Sequence, residues 1–162
     1  MSRIKSLFAV ICLLLISIFL TGCASDSQGE KNAKSLILAL YNCPDKAITE
    51  DFYNNQSTSE MEKKFTPFLA EDYQEEFISK YAGSNQFACY ENSAKSKVLQ
   101  ISTDEKDNQV QADVKVECTN KDGEKTEISM SITIQTDYDG KVNFFRLPSN
   151  DADYMKAVGA IE

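Results

Sequence analysis

Histidine and tryptophan are both missing from this 162-residue chain. Without histidine there is no ordinary general base poised near neutral pH, and the commonest metal ligand is gone. Ser-His-Asp and Cys-His catalysis are therefore excluded. The one Ser-x-x-Lys spacing, Ser2 to Lys5, lies at the extreme N-terminus, and no Gly-x-Ser-x-Gly occurs. Positive charge is scarce too, with 17 Lys+Arg against 25 Asp+Glu and a formal net charge of −8. That balance does not suit nucleic acid, whose phosphates are neutralised by basic patches. Nor does it suit a surface that lies flat on anionic lipid.

What is present begins with a single apolar run. Arg3 and Lys5 precede the stretch from Leu7 to Leu20, and Thr21, Gly22 and Cys23 follow. A basic head, a short apolar centre and small residues at a cleavage point define a secretory signal. The run is shorter than the ~20 residues that span a bilayer comfortably. The quartet Leu20-Thr21-Gly22-Cys23 resembles the bacterial lipobox. That resemblance implies that residues 1–22 are cleaved and that the Cys23 thiol carries the lipid. Cys12 falls in the discarded segment. Each buried CH₂ of an acyl chain contributes about 0.8 kcal/mol, so the two or three chains implied would anchor the protein stably. The expected location is extracytoplasmic, attached to the bacterial cell membrane through that lipid. The remaining 140 residues make one domain, with 15 Lys+Arg against 25 Asp+Glu because Arg3 and Lys5 are removed.

Three further cysteines, Cys43, Cys89 and Cys118, belong to the domain. In an oxidising compartment two of them are expected to pair. Three connectivities are open, and strand register favours Cys89–Cys118. A Cys₃ zinc site is disfavoured by long spacings and by the lack of histidine. The Asp137-Tyr138-Asp139-Gly140 sequence suggests a calcium loop, but Arg146 falls where a bidentate Glu is required. No metal or other cofactor is expected.

Residues 23–30 read as the lipidated cysteine and a flexible polar tether, and 31–162 as one domain. From Lys31, Ala33, Leu36, Ile37, Leu40 and Tyr41 follow a helical rhythm. Pro44 stops that helix and suits the start of a second bearing Ile48 and Phe52. Thr58 suits an N-cap for a short segment ending near Phe65. Thr66-Pro67 suits the start of a longer helix whose stripe of Phe68, Leu69, Tyr73, Phe77, Ile78 and Tyr81 runs to Gly83. Beyond Gly83 the period changes to two. Strands are expected over 96–103, 109–119, 125–136 and 141–147, with a short helix over 151–158. A loop at Lys121-Asp122-Gly123 places Val116 opposite Ile128 and Val114 opposite Met130. A four-residue loop, 104–107, places Ile101 opposite Val110, and the loop 138–140 places Ile134 opposite Phe144. The inner face then reads Leu99, Ile101, Val110, Ala112, Val114, Val116, Cys118, Ile128, Met130, Ile132, Ile134, Val142 and Phe144.

Helices followed by a four-stranded antiparallel meander make an α+β fold with the helices packed on one face. The element order and the Phe65–Tyr73 helix start resemble the NTF2-like (cystatin-like α+β cone) superfamily. The resemblance implies a cone that some members use for catalysis, with acids and tyrosines inside. No acid, base or amide stands on the inner face here, so no catalytic residue is assigned and an enzyme is not expected. Two readings of function follow. The first is a non-catalytic interaction or accessory module with an envelope protein as partner. The second is a small-molecule-binding lipoprotein with Tyr41, Tyr73 and Tyr81 at the mouth of a pocket inside the cone.

Overall fold

A computed structural model describes residues 26–162. The signal peptide expected over 1–22 and the lipidation of Cys23 lie outside the described residues. Helix α1 (Gln28–Tyr41) starts at a reciprocal box, in which Ser27 accepts the Glu30 N–H and the Glu30 carboxylate accepts the Ser27 N–H. Two backbone donors that a helix start leaves free are satisfied in this way. Residues 28–30, expected in the tether, are therefore helical, because capping chemistry rather than apolar period sets the start. Helix α2 (Lys46–Asn55) is capped by Asp45, whose carboxylate accepts from Ala47 and Ile48, so Pro44 precedes the helix rather than opening it. In α3 (Ser59–Phe65), Met61 and Phe65 are buried.

The long helix expected after Thr66 is broken. Pro67 sits in a 3₁₀ turn, Thr66–Phe68. Leu69 and Ala70 then extend beside Val142, the Ala70 N–H donating to Val142 O at 2.8 Å. A second 3₁₀ turn (Glu71–Tyr73), a single α-turn α4 (Gln74–Phe77) and a π-turn (Ile78–Ala82) follow. Leu69, Tyr73 and Phe77 are core residues. An apolar stripe at helical spacing does not distinguish a continuous helix from successive tight turns with the same inward side. Past Gly83 the chain is still helical, in α5 (Ser84–Glu91). Its buried face carries Asn85, Gln86 and Cys89, and that polar content hides the apolar period. Gln86 donates to Ala39 O at 2.9 Å and accepts from Asp45 N at 2.6 Å, so the buried amide is satisfied.

Strands β1 (Lys95–Lys106), β2 (Gln109–Thr119), β3 (Lys125–Thr136) and β4 (Val142–Arg146) form one antiparallel sheet in the order β1-β2-β3-β4. The β2–β3 register is the expected one, with Val116 opposite Ile128 and Val114 opposite Met130. Gly123 supplies the positive φ its loop needs, +83°. The β1–β2 loop is only two residues, Asp107 and Asn108, both at positive φ (52° and 60°) as a type I′ turn requires. It places Ile101 opposite Val114 rather than Val110. A slip of an even number of residues keeps every side chain on its face.

Two bulges do change faces. Between Val98 and Gln100 the register shifts, Leu99 turns out to 44 % exposure, and Ser96 comes opposite Cys118. Between Gln135 and Thr136 a second shift places Phe145, not Phe144, opposite Ile134. Phe145 is 1 % exposed and Phe144 38 %. Helix α6 (Asp151–Ala157) adds Tyr154 to the core. The fold is α+β, with helices on the apolar face of a four-stranded meander.

Candidate functional site

The broken segment from Thr66 to Ala82 leaves the helical layer imperfectly closed. A cleft of about 800 Å³ opens between α2, α3, the π-turn and the start of α5. Its floor is apolar: Met61 is buried, and Phe52, Ile78 and Phe87 are half-buried. The Phe87 ring rests directly on Gly83, where an added Cβ would come within 2.4 Å of Cε2. Phe52 packs against Phe87 with centroids 4.3 Å apart. Outside the cleft the aromatic surface continues through Tyr53, which stacks on Tyr90 at 4.8 Å. Both tyrosines are exposed, at 40 % and 50 %. The Tyr53 hydroxyl donates to the Glu91 carboxylate, a bond that pushes its pKa up to about 12.

Three exposed carboxylates, Glu62, Glu71 and Glu75, edge this floor. Lys80 is the one cation among the lining residues, and it is paired with Glu76 at 2.9 Å. The cleft therefore presents uncompensated negative charge beside aromatic and aliphatic surface. The π-turn contributes Ile78, Ser79 and Lys80, and such widened turns recur where helices carry function. The hydroxyls of Thr58, Thr66, Ser79 and Ser84 line the cleft without a histidine to activate them.

The tyrosines singled out from the sequence do not converge on a pocket mouth. Tyr41 is fully buried edge-on to Tyr154, at 5.2 Å, and its hydroxyl has no hydrogen-bond partner among the described residues. Burial, then the nearby Asp151 carboxylate, push its pKa up. Tyr73 is 6 % exposed, and its hydroxyl accepts the Phe145 N–H at 3.0 Å. Tyr81 is half-buried against Phe77 and Phe145. Among the described residues no tyrosine lines the cleft. Sequence reasoning missed the cleft because Phe87 lies on α5, which the period did not reveal. The visible signal was the acidic stretch from Glu71 to Glu76 beside an aromatic stripe.

The three domain cysteines are buried free thiols. The Cys89–Cys118 pairing favoured by register is not formed. That inference set Cys118 opposite Ser93, whereas the two-residue loop and the bulge near Leu99 together set it opposite Ser96. The Cys43 thiol donates to Leu40 O at 2.9 Å. Cys89 reaches Ser96 Oγ at 3.8 Å and the Tyr154 hydroxyl at 3.5 Å. Among the described residues no group of three Cys, Asp or Glu side chains is placed to hold a metal ion, and no helix is long and apolar enough to cross a membrane.

Compared with known protein families and curated proteins, the chain matches none. Among solved structures it is similar to a de novo β-sheet design determined by solution NMR. The two share 15 % identity over 74 % of this chain and 87 % of that one, with a TM-score of 0.45.

Proposed function

We propose that this chain is a lipid-anchored, non-catalytic binding module of the bacterial envelope, built on an NTF2-like cone. Its working surface is the helical cleft, and its guest is an apolar, positively charged segment of an envelope protein. The cleft itself carries this reading: about 800 Å³ floored by Phe52, Met61, Ile78 and Phe87 and edged by Glu62, Glu71 and Glu75. An apolar guest gains from burial against that floor, and a basic one gains from the unpaired carboxylates and aromatic faces. The anchor reading rests on Leu20-Thr21-Gly22-Cys23. The cone reading rests on helices followed by a long meander with an apolar inner face.

The outer face of the sheet offers a partner less. Its side chains already bond one another: Gln111 to Ser131 at 2.9 Å, Ser131 to Asp113 at 2.7 Å, and Thr133 to Gln111 at 2.9 Å. Lys125 pairs with Glu117 at 2.9 Å, and Lys115 with Glu127. A photo-crosslinking residue placed at Ser79, on the cleft, should capture a partner in intact cells. The same residue at Thr133 should not. Capture only from Thr133, or from neither position, refutes the proposal. The cleft volume also falls within the range of small-ligand sites, ~300–1,000 Å³. A non-protein mass retained by the purified protein in native mass spectrometry, and lost in Phe87→Glu, would favour that second reading.

A further inference from the structure

Four polar side chains from four elements meet beneath α6, away from the cleft. Cys43 follows α1, Cys89 lies in the last turn of α5, Ser96 is the second residue of β1, and Tyr154 reaches in from α6. Ser96 Oγ lies 2.9 Å from the Tyr154 hydroxyl and donates to Tyr41 O at 2.7 Å. We propose that Cys43 and Cys89 are a dithiol pair that closes to a disulfide when given a disulfide oxidant, leaving Cys118 as a free thiol.

Backbone geometry removes one of the three pairings. Cys43 exchanges both backbone hydrogen bonds with Ser96, N–H to O at 3.1 Å one way and 2.8 Å the other. Ser96 is paired on its other side with Cys118. Cys43 and Cys118 are therefore two strand spacings apart, roughly 9–10 Å. A disulfide tolerates a Cα separation of no more than about 7 Å, so those two cannot join. Cys89 descends onto Ser96 from the helical layer, its sulfur 3.8 Å from Ser96 Oγ, beside the residue that Cys43 faces across the bridge.

The electrostatics fit an attacking and a resolving thiol. The neighbouring Cys43 leads the effects that lower Cys89 below its ordinary value, while burial pushes Cys43 well up. Burial also pushes Cys118 up to about 12. The attacking species is the thiolate, so Cys89 is the more reactive of the three. Its sulfur attacks one sulfur of the oxidant, either glutathione disulfide or the disulfide of an export-compartment thiol oxidoreductase. One oxidant thiolate leaves and a mixed disulfide forms. Cys43 then gives up its proton and displaces the second oxidant thiolate, which is protonated. Two protein S–H groups become one S–S, and the oxidant S–S becomes two thiols. Cys43 is 5 % exposed and Cys89 0 %, so the oxidant reaches them during folding or when α6 lifts with Tyr154.

The pairing is independent of the cleft and its guest. The mature chain should be refolded from denaturant in a reduced/oxidised glutathione buffer, alkylated, digested and mapped by mass spectrometry. A second arm treats the native, reduced protein with glutathione disulfide. A loss of two hydrogens, a Cys43–Cys89 linked peptide and an alkylated Cys118 are expected on refolding, with the same bridge in Cys118→Ser. The Cys43–Cys89 peptide should exceed any other linkage at least tenfold. The native arm should give the same bridge more slowly. A dominant bridge involving Cys118, or three alkylated thiols in both arms, overturns the proposal. Should Cys89→Ser fail to fold as a control, the wild-type and Cys118→Ser maps still decide between these outcomes.

Discussion

Phe144 and Phe145 are adjacent, chemically identical and opposite in fate, so truncating each to alanine tests the β3–β4 bulge directly. Phe145 is 1 % exposed. Its ring meets Phe77 edge-on at 5.9 Å and Tyr81 at 5.4 Å. A buried aromatic covers ~150–250 Å². Removing one from a packed core costs about 3–5 kcal/mol once the cavity is included. Phe144 is 38 % exposed, with the Arg146 guanidinium 6.0 Å from its centroid. Losing partial burial and an exposed cation–π contact costs about 1 kcal/mol. With a urea m-value of about 2 kcal/mol/M, Phe145→Ala should lower the melt midpoint by about 2 M and Phe144→Ala by about 0.5 M. The m-value should not change in either variant. If Phe144→Ala proved the costlier, Ile134 would face Phe144 and the bulge would be absent.

Tyr73→Phe removes the acceptor of the buried Phe145 N–H and should cost about 1–3 kcal/mol in the same melts; a neutral result would show that this amide has another partner. Asp45→Ala removes both the α2 cap and the ion pair to Lys64, and should cost about 1–2 kcal/mol at neutral pH. Burial alone would raise the Asp45 carboxyl, but the Lys64 ammonium and the Ala47 and Ile48 N–H groups outweigh it and hold it below its ordinary value. Its stabilising effect is thus present above pH ~4 and lost as pH falls through the folded value, so variant and wild type should converge in acid. Asp151 shifts the other way: burial raises it, and Oδ1 has no hydrogen-bond partner among the described residues. Asp151→Asn should therefore stabilise at pH 7, with the gain vanishing below pH ~4; a larger gain in acid would contradict the assigned burial. Cys23→Ala should abolish lipid attachment, leaving precursor or releasing the protein from the membrane fraction; a processed variant still wholly in the detergent phase would refute the lipobox reading.

Strand positions, the β2–β3 register and most of the inner face were legible in the sequence. The reason is local: alternation at Val110, Ala112, Val114, Val116 and Cys118 leaves one face able to be buried, and Gly123 fixes the loop length. The stripe of α1 was legible for the same reason, since Ala33, Leu36, Ile37, Leu40 and Tyr41 share one side of a helix. The absence of histidine likewise decided at once which catalytic arrangements this chain cannot build.

The two bulges, the broken segment after Thr66, helix α5 and the cleft were decided by tertiary structure. Leu99 and Phe144 read as inward because alternation assumes an unbroken ladder, and one extra residue inverts it. No local pattern marks such an insertion; it persists because Phe145 fits between Phe77 and Tyr81. Residues 66–82 favour helix locally, but Leu69 and Ala70 gain a bridge to β4 that a continuous helix would forgo. Helix α5 buries Gln86 because Ala39 and Asp45, distant in sequence, supply its partners. The meeting of Cys43 and Cys89 at Ser96 depends on the β1 bulge and the end of α5 together. Periodicity reports which side of an element is buried; what it is buried against is settled only when the elements pack.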